Sequence, residues 1–210
     1  MQFPSKMRQW ISHNPIKIFA VSLAALALIV FTAVSLNPSA DQSAIQKVCY
    51  QALLADQTLA VPVSASTKSQ LTISSNAVKT TDTAAISDAV ESQMDALVVT
   101  TYQKYYTGTL LQQKIQTLQN FIHQHKIGNT RYLGGGIDSM TFSSISVNGS
   151  SATVKASAVV WDTVAQVQSG GKVVPATPRG TILLTYTLTK QNSQWFITAE
   201  QWNFAPGEAP

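Results

Sequence analysis

The feature that most restricts what this chain can become is an uncharged apolar run near its start, Ile18 to Leu36, closed by Asn37-Pro38. As a helix, its nineteen residues would extend roughly 28 Å at about 1.5 Å per residue, close to the roughly 30 Å of a bilayer's hydrocarbon core. Lys6, Arg8 and Lys17 precede the run with no acid among them, and Trp10 lies where an interfacial anchor would. An excess of Lys and Arg on one flank keeps that flank in the cytoplasm. A cleaved signal has a shorter apolar core, about 7–15 residues, with small residues before the cut. Here the nearest cut, after Ala40, would place Pro38 three residues upstream. The expectation is a single-pass protein of the cell membrane. Residues 1–17 are a basic cytoplasmic tail, 18–36 a transmembrane helix in contact with the lipid bilayer, and the remainder extracytoplasmic.

Of fourteen Lys and Arg, only those three precede the run, which leaves eleven against ten Asp and Glu from Asp41 onward. The exported part is nearly neutral, so the basic balance is no nucleic-acid footprint, which needs cations clustered on one face. The single cysteine, Cys49, has no partner for an internal disulfide and reads as a small buried residue on a helix. His123 and His125 are two apart on a helical stretch and face different sides, so they do not begin a metal site. Gly134-Gly135-Gly136 lacks the Lys-Ser/Thr of a phosphate loop and precedes a strand, so it reads as a flexible crossing from helix to sheet. No cofactor and no metal are expected.

Beyond the anchor, residues 37–81 read as a helix over Asp41 to Ala55, with Ala44, Ile45, Val48, Cys49, Ala52 and Leu53 on one face, followed by a mobile Ser/Thr-rich connection with a short strand near Leu71-Thr-Ile73. A first long helix is N-capped by Asp82 and striped by Ile86, Val90, Met94, Leu97, Val98, Tyr102 and Tyr105. A second carries Leu111, Ile115, Leu118, Ile122 and His125 and stops at Gly128-Asn129. The period then changes to two. Thr141–Val147, Ala152–Gln168, Gly180–Lys190 and Gln194–Phe204 read as a four-stranded antiparallel meander, with Asn148-Gly149 as a hairpin turn. In the second strand the apolar set shifts from Val154, Ala156, Ala158 and Val160 to Trp161, Thr163, Ala165 and Val167, the mark of a bulge. Helices before strands predict an α+β fold, the helices packed on one face of a curved antiparallel sheet.

Residues 82–206, from the helix pair through the long bent strand around Trp161 to Gln194-Trp195-Phe196-Ile197 and Trp202-Asn203-Phe204-Ala205-Pro206, resemble a nuclear-transport-factor-2-like domain, with 207–210 as a tail. The resemblance implies a cone-shaped α+β domain whose mouth can hold a small ligand. Membrane-anchored members resemble the assembly proteins of conjugative type IV secretion. This points to a non-enzymatic protein-binding or assembly module of a cell-envelope complex, with other envelope proteins or a second copy as partners. The alternative is a binder of a small hydrophobic ligand, or a lyase or isomerase, using the cone's interior.

For that alternative Asp162, at the bulge, is the weak catalytic candidate, although solvent exposure is its simpler reading. Asp138 reads as a loop residue and Glu200 as exposed or in a surface pair. Tyr102, Tyr105, Tyr106, Trp161 and Trp202 are the binding or interface candidates, since large aromatics anchor interfaces. The topology has a direct test. A reporter that works only outside the cytoplasm, fused after Pro210, is expected to be active, and activity there of a cytoplasm-only reporter would reverse the orientation.

Overall fold

Apolar spacing sets the helices. The computed structural model describes residues 39–62 and 77–208. The apolar run at 18–36 and the segment around Leu71 lie outside them, and among the described residues no helix is long and apolar enough to cross a membrane. Helix α1 (Ala40–Thr58) buries Ile45, Cys49, Ala52 and Leu53 of the stripe read from the sequence, while Val48 is half-buried and Ala44 is exposed. It runs a turn further than expected and also buries Leu54 and Ala55, so its C-terminal half is enclosed on more than one side. Leu59, Ala60 and Val61 follow it into the core, so this part of the supposed mobile connection is packed. Burial by surrounding carbon, with Glu200 adding repulsion, pushes the Cys49 thiol up to about 12, which makes it unreactive.

Helix α2 (Asp88–Tyr102) starts six residues after the expected cap. The Ser87 hydroxyl accepts from the Val90 N–H at 3.3 Å, while the Asp82 carboxylate closes a local turn by accepting from the Ala84 N–H at 2.9 Å. Short polar side chains compete in this way for nearby backbone, and the nearer one took the cap. Helix α3 (Gly108–Ile127) packs against α2 and buries Leu118, Ile122 and His125. Lys126 reaches both Asp88 and Glu91 at 2.6 Å, and His123 meets Glu91 at 2.7 Å, so the end of α3 lies against the start of α2.

The sheet contains the four expected strands in the expected order with two short additions. The strands are β1 (Ala77–Lys79), β2 (Thr130–Asn148), β3 (Ser151–Val167), β4 (Val173–Ala176), β5 (Arg179–Gln191) and β6 (Gln194–Phe204). They run in the order β1-β2-β3-β5-β6, with β4 hairpinned onto β3, and the described pairs are all antiparallel. The hairpin between β2 and β3 turns at Gly149, whose φ of 57° no β-branched residue would hold cheaply. Strand β2 begins eleven residues before the expected Thr141 and contains Gly134-Gly135-Gly136, so the triplet is strand and not a crossing loop. Those glycines pair with Thr163, Asp162 and Trp161 on one side and with Lys79, Val78 and Ala77 on the other. A Cβ on Gly135 would lie 1.8 Å from the Gln57 carbonyl oxygen, which is why no side chain is tolerated there.

The bulges also fall elsewhere than expected. Strand β3 is regular against β5 from Ser151 to Trp161, and β2 carries the three extra residues, between Tyr132 and Gly134, Ile137 and Ser139, and Phe142 and Ser144. Bulges on one long strand bend the sheet toward the helices. The phase shift at Val160 and Trp161, both buried, occurs where β3 exchanges β5 for β4 as its neighbour. Asp138 is itself such an extra residue, within β2 and paired with Arg179 at 3.0 Å. At the other end of α1, Asp41 accepts from the Trp195 indole at 3.0 Å and from Lys190 at 2.6 Å.

Candidate functional site

Helices and sheet line a half-open space. The C-terminal turns of α1, one face of α3 and the inner face of β3, β5 and β6 surround a cavity of about 980 Å³. Leu53, Leu118, Val160, Ile182 and Leu184 make apolar wall, and polar groups enter at two places.

The first is a charged cluster. Asp56 of α1 accepts from the Tyr102 hydroxyl at 2.7 Å, the Tyr106 hydroxyl at 3.1 Å and the Lys114 ammonium at 2.6 Å. Lys114 also donates to Glu200 of β6 at 3.2 Å, and Tyr106 lies 3.4 Å from the other Glu200 oxygen. The Glu200 side chain is only 8% exposed. Burial, and then repulsion from Asp56, raises its carboxyl above the ordinary range, although Lys114 and the Tyr106 hydrogen bond pull the other way. Burial acts to strip Lys114 of its proton, but the two carboxylates outweigh it, so its ammonium is held more firmly than usual. The Tyr102 and Tyr106 hydroxyls are held protonated, by burial first and by Asp56 next.

The second polar place is Asp162. One of its oxygens meets the Tyr132 hydroxyl, which also lies 3.2 Å from the Gln57 carbonyl. A phenol has one proton to give, so it cannot serve an ionised Asp162 and the Gln57 carbonyl together. If Asp162 carries a proton it can donate to the phenol oxygen, which frees the phenol proton for Gln57. Burial raises the Asp162 carboxyl above its usual range, and the Tyr132 hydrogen bond offsets part of that. The simple reading of Asp162 as a solvated side chain therefore does not hold; it lines the cavity.

The remaining candidates separate. Tyr102, Tyr106 and Trp161 are buried, the first two as members of the charged cluster and Trp161 between the cavity and the Lys79 ammonium, 4.8 Å from its ring. Tyr105 is half-buried against the core. Trp202 is 53% exposed at the cavity's mouth and meets Phe204 edge to face at 5.4 Å. Phe121, 42% exposed, lines the same cavity and stands edge to face with Tyr132. Among the described residues no three His, Cys, Asp or Glu side chains are disposed to hold a metal ion.

Asp56 and Lys114 are the residues that sequence reasoning missed, and Glu200 is one it named only as exposed or in a surface pair. Asp56 continues the α1 stripe three residues after Leu53, and Lys114 lies four before Leu118 on the buried face of α3. A charge on an apolar stripe was the available signal. Glu200 gave none, because β6 gains a residue at Thr198, between the partners of Thr187 and Leu188. That bulge moves the inward set from Trp195 and Ile197 to Glu200, Trp202 and Phe204.

No family model and no curated protein matches the chain. Among solved structures, the intermembrane-space region of the chloroplast protein ARC6 is 15% identical with a TM-score of 0.43, over 54% of this chain and 88% of that one. An Ntf2-like protein involved in plasmid conjugation is 9% identical with a TM-score of 0.29, over 55% of this chain and 47% of that one. A protein of unknown function with a cystatin-like fold from Nostoc punctiforme is 15% identical with a TM-score of 0.28, over 59% of this chain and 97% of that one. Likenesses this distant carry no activity to this chain, whose α+β class stands on its own helices and sheet.

Asp162 gives a pH test. Its carboxyl is raised in the fold, so the native state prefers the protonated form. Its favourable share of stability is complete below the ordinary 3.8 and is lost as pH rises through the raised value. Asp162→Asn is expected to raise the melting temperature at pH 7, with the gain shrinking to nothing as the pH falls below about 4. A gain that persists unchanged at low pH would contradict the buried placement.

Proposed function

We propose that this chain is a membrane-anchored, non-enzymatic binding module of the cell envelope, of the nuclear-transport-factor-2-like class, and that its extracytoplasmic domain holds a small, largely apolar guest inside its cone. The anchoring half rests on the uncharged run at 18–36 and the three cations before it. The binding half rests on one observation: an apolar-walled cavity of about 980 Å³ with exposed aromatic rings, Trp202 and Phe121, in its lining. That volume is at the upper end of the roughly 300–1,000 Å³ of small-molecule sites. The Asp56–Lys114–Glu200 cluster supports binding over catalysis, because its charges are spent on one another.

A lyase or isomerase is the second reading, and Asp162 beside Tyr132 is what favours it. A half-buried carboxyl with a raised pKa next to a phenol is equipped to move a proton. The pair's one phenol proton is already divided between Asp162 and the Gln57 carbonyl, which ranks this reading below simple binding.

The test is a titration of the full chain with the neutral fluorophore N-phenyl-1-naphthylamine. Saturable binding of one probe per chain is expected, weakened strongly by Thr117→Trp, a substitution at an exposed position of α3 that lines the cavity. Binding that never saturates, or that ignores Thr117→Trp, would refute an internal site.

A further inference from the structure

The cavity's polar groups are unequally supplied with partners, and the imbalance indicates what a guest must bring. Four acids line it, Asp56, Asp162, Glu200 and Glu208, against two cations, Lys114 and Arg179. Both cations are engaged: Lys114 on Asp56 and Glu200, and Arg179 on Asp138 outside the cavity lining. Glu208 accepts from the Thr181 backbone N–H at 2.5 Å. Lys114 serves both Asp56 and Glu200, Tyr102 donates to Asp56, and Tyr106 has one proton for either carboxylate.

Acceptors are what remain. Among the described residues, Asp162 has the Tyr132 hydroxyl as its side-chain partner on one oxygen and no partner on the other. The Gln57 side-chain oxygen is buried without a hydrogen bond. The Gln57 carbonyl shares its one phenol proton with Asp162. Each charged cation of the lining already has a carboxylate partner, so an anion competes with that partner. A donor group meets the open Asp162 oxygen, and a charged one also compensates the carboxylate. The faces of Phe121 and Trp202, exposed in the lining, are surfaces that attract organic cations.

We propose that the guest is an amphiphilic organic cation, a primary ammonium on a small aromatic or aliphatic body, with the ammonium seated on the open Asp162 oxygen and the body against the apolar wall. This deepens the binding reading above and rests on it. Neutral alcohols fill the same space but supply one donor and no charge, and carboxylates meet four acids and two cations that are already paired.

The test is displacement of N-phenyl-1-naphthylamine from the full chain by three compounds of one shape: 3-phenylpropylamine, 3-phenylpropan-1-ol and 3-phenylpropanoate. The amine is expected to displace the probe at concentrations about tenfold or more below the alcohol, the usual value of a hydrogen bond to a charged group, and the carboxylate to be weakest. Asp162→Asn should abolish the preference for the amine, read as the ratio of amine to alcohol displacement, and Asp162→Glu should restore part of it. Equal displacement by amine and alcohol, or a preference that survives Asp162→Asn, would overturn the assignment of the ammonium while leaving the cavity as a binding site. Loss of probe binding by the unmodified chain would overturn the cavity reading and this one with it.

Discussion

The backbone of α1 passes over β2 at Gly135 with no room for even a methyl group between them. Much of the site follows from that approach. It seats the last turns of α1 over the inner face of the sheet, where Asp56 and Gln57 become cavity wall instead of surface. It brings the Gln57 carbonyl within reach of the Tyr132 hydroxyl, and through that hydroxyl to Asp162 on the neighbouring strand. At its other end α1 is fixed by Asp41 to the β5–β6 hairpin, through Lys190 and Trp195. The helix that would follow a membrane anchor is therefore part of the folded domain and not a stalk.

A charge taken out of water is costly unless it is paired and hydrogen-bonded, and Asp56, Lys114 and Glu200 meet that condition collectively. Lys114 serves two carboxylates, and two tyrosine hydroxyls supply the remaining bonds. The residual imbalance falls on Glu200, which is pushed toward its neutral form by burial and by Asp56. Such a cluster adds little to stability compared with an apolar replacement, but it permits one seating of α1 against α3 and β6. It also engages Lys114, while one Asp162 oxygen stays open toward the cavity.

Legibility in the sequence tracked how local each cause was. The alternation of Ile182, Leu184, Tyr186 and Leu188 needs only the pleat, and Asn148-Gly149 needs only the turn, so both were plain. The stripe of Ile45, Cys49, Ala52 and Leu53 was equally readable. Gly134-Gly135-Gly136 was not, because glycine signals freedom unless the partner that forbids a side chain is known, and that partner lies about eighty residues earlier in the chain. Asp82 lost the helix cap to Ser87 through a turn of its own. Glu200 was misread because the extra residue at Thr198 reverses which face of β6 looks inward. Of the candidate site, Asp162 and Trp161 were named but their surroundings were not, since Tyr132 and Gln57 reach them only through the fold.

A part-buried charged cluster locks α1 into the domain and shapes the cavity. A double-mutant cycle on Asp56 and Lys114, 2.6 Å apart, measures that lock directly. Urea unfolding of Asp56→Asn, Lys114→Met and the double variant is expected to give a coupling of at least about 1 kcal/mol, within the range for residues of one network. Additivity within about 0.5 kcal/mol, as for sites that do not touch, would mean that α1 is not held by this cluster.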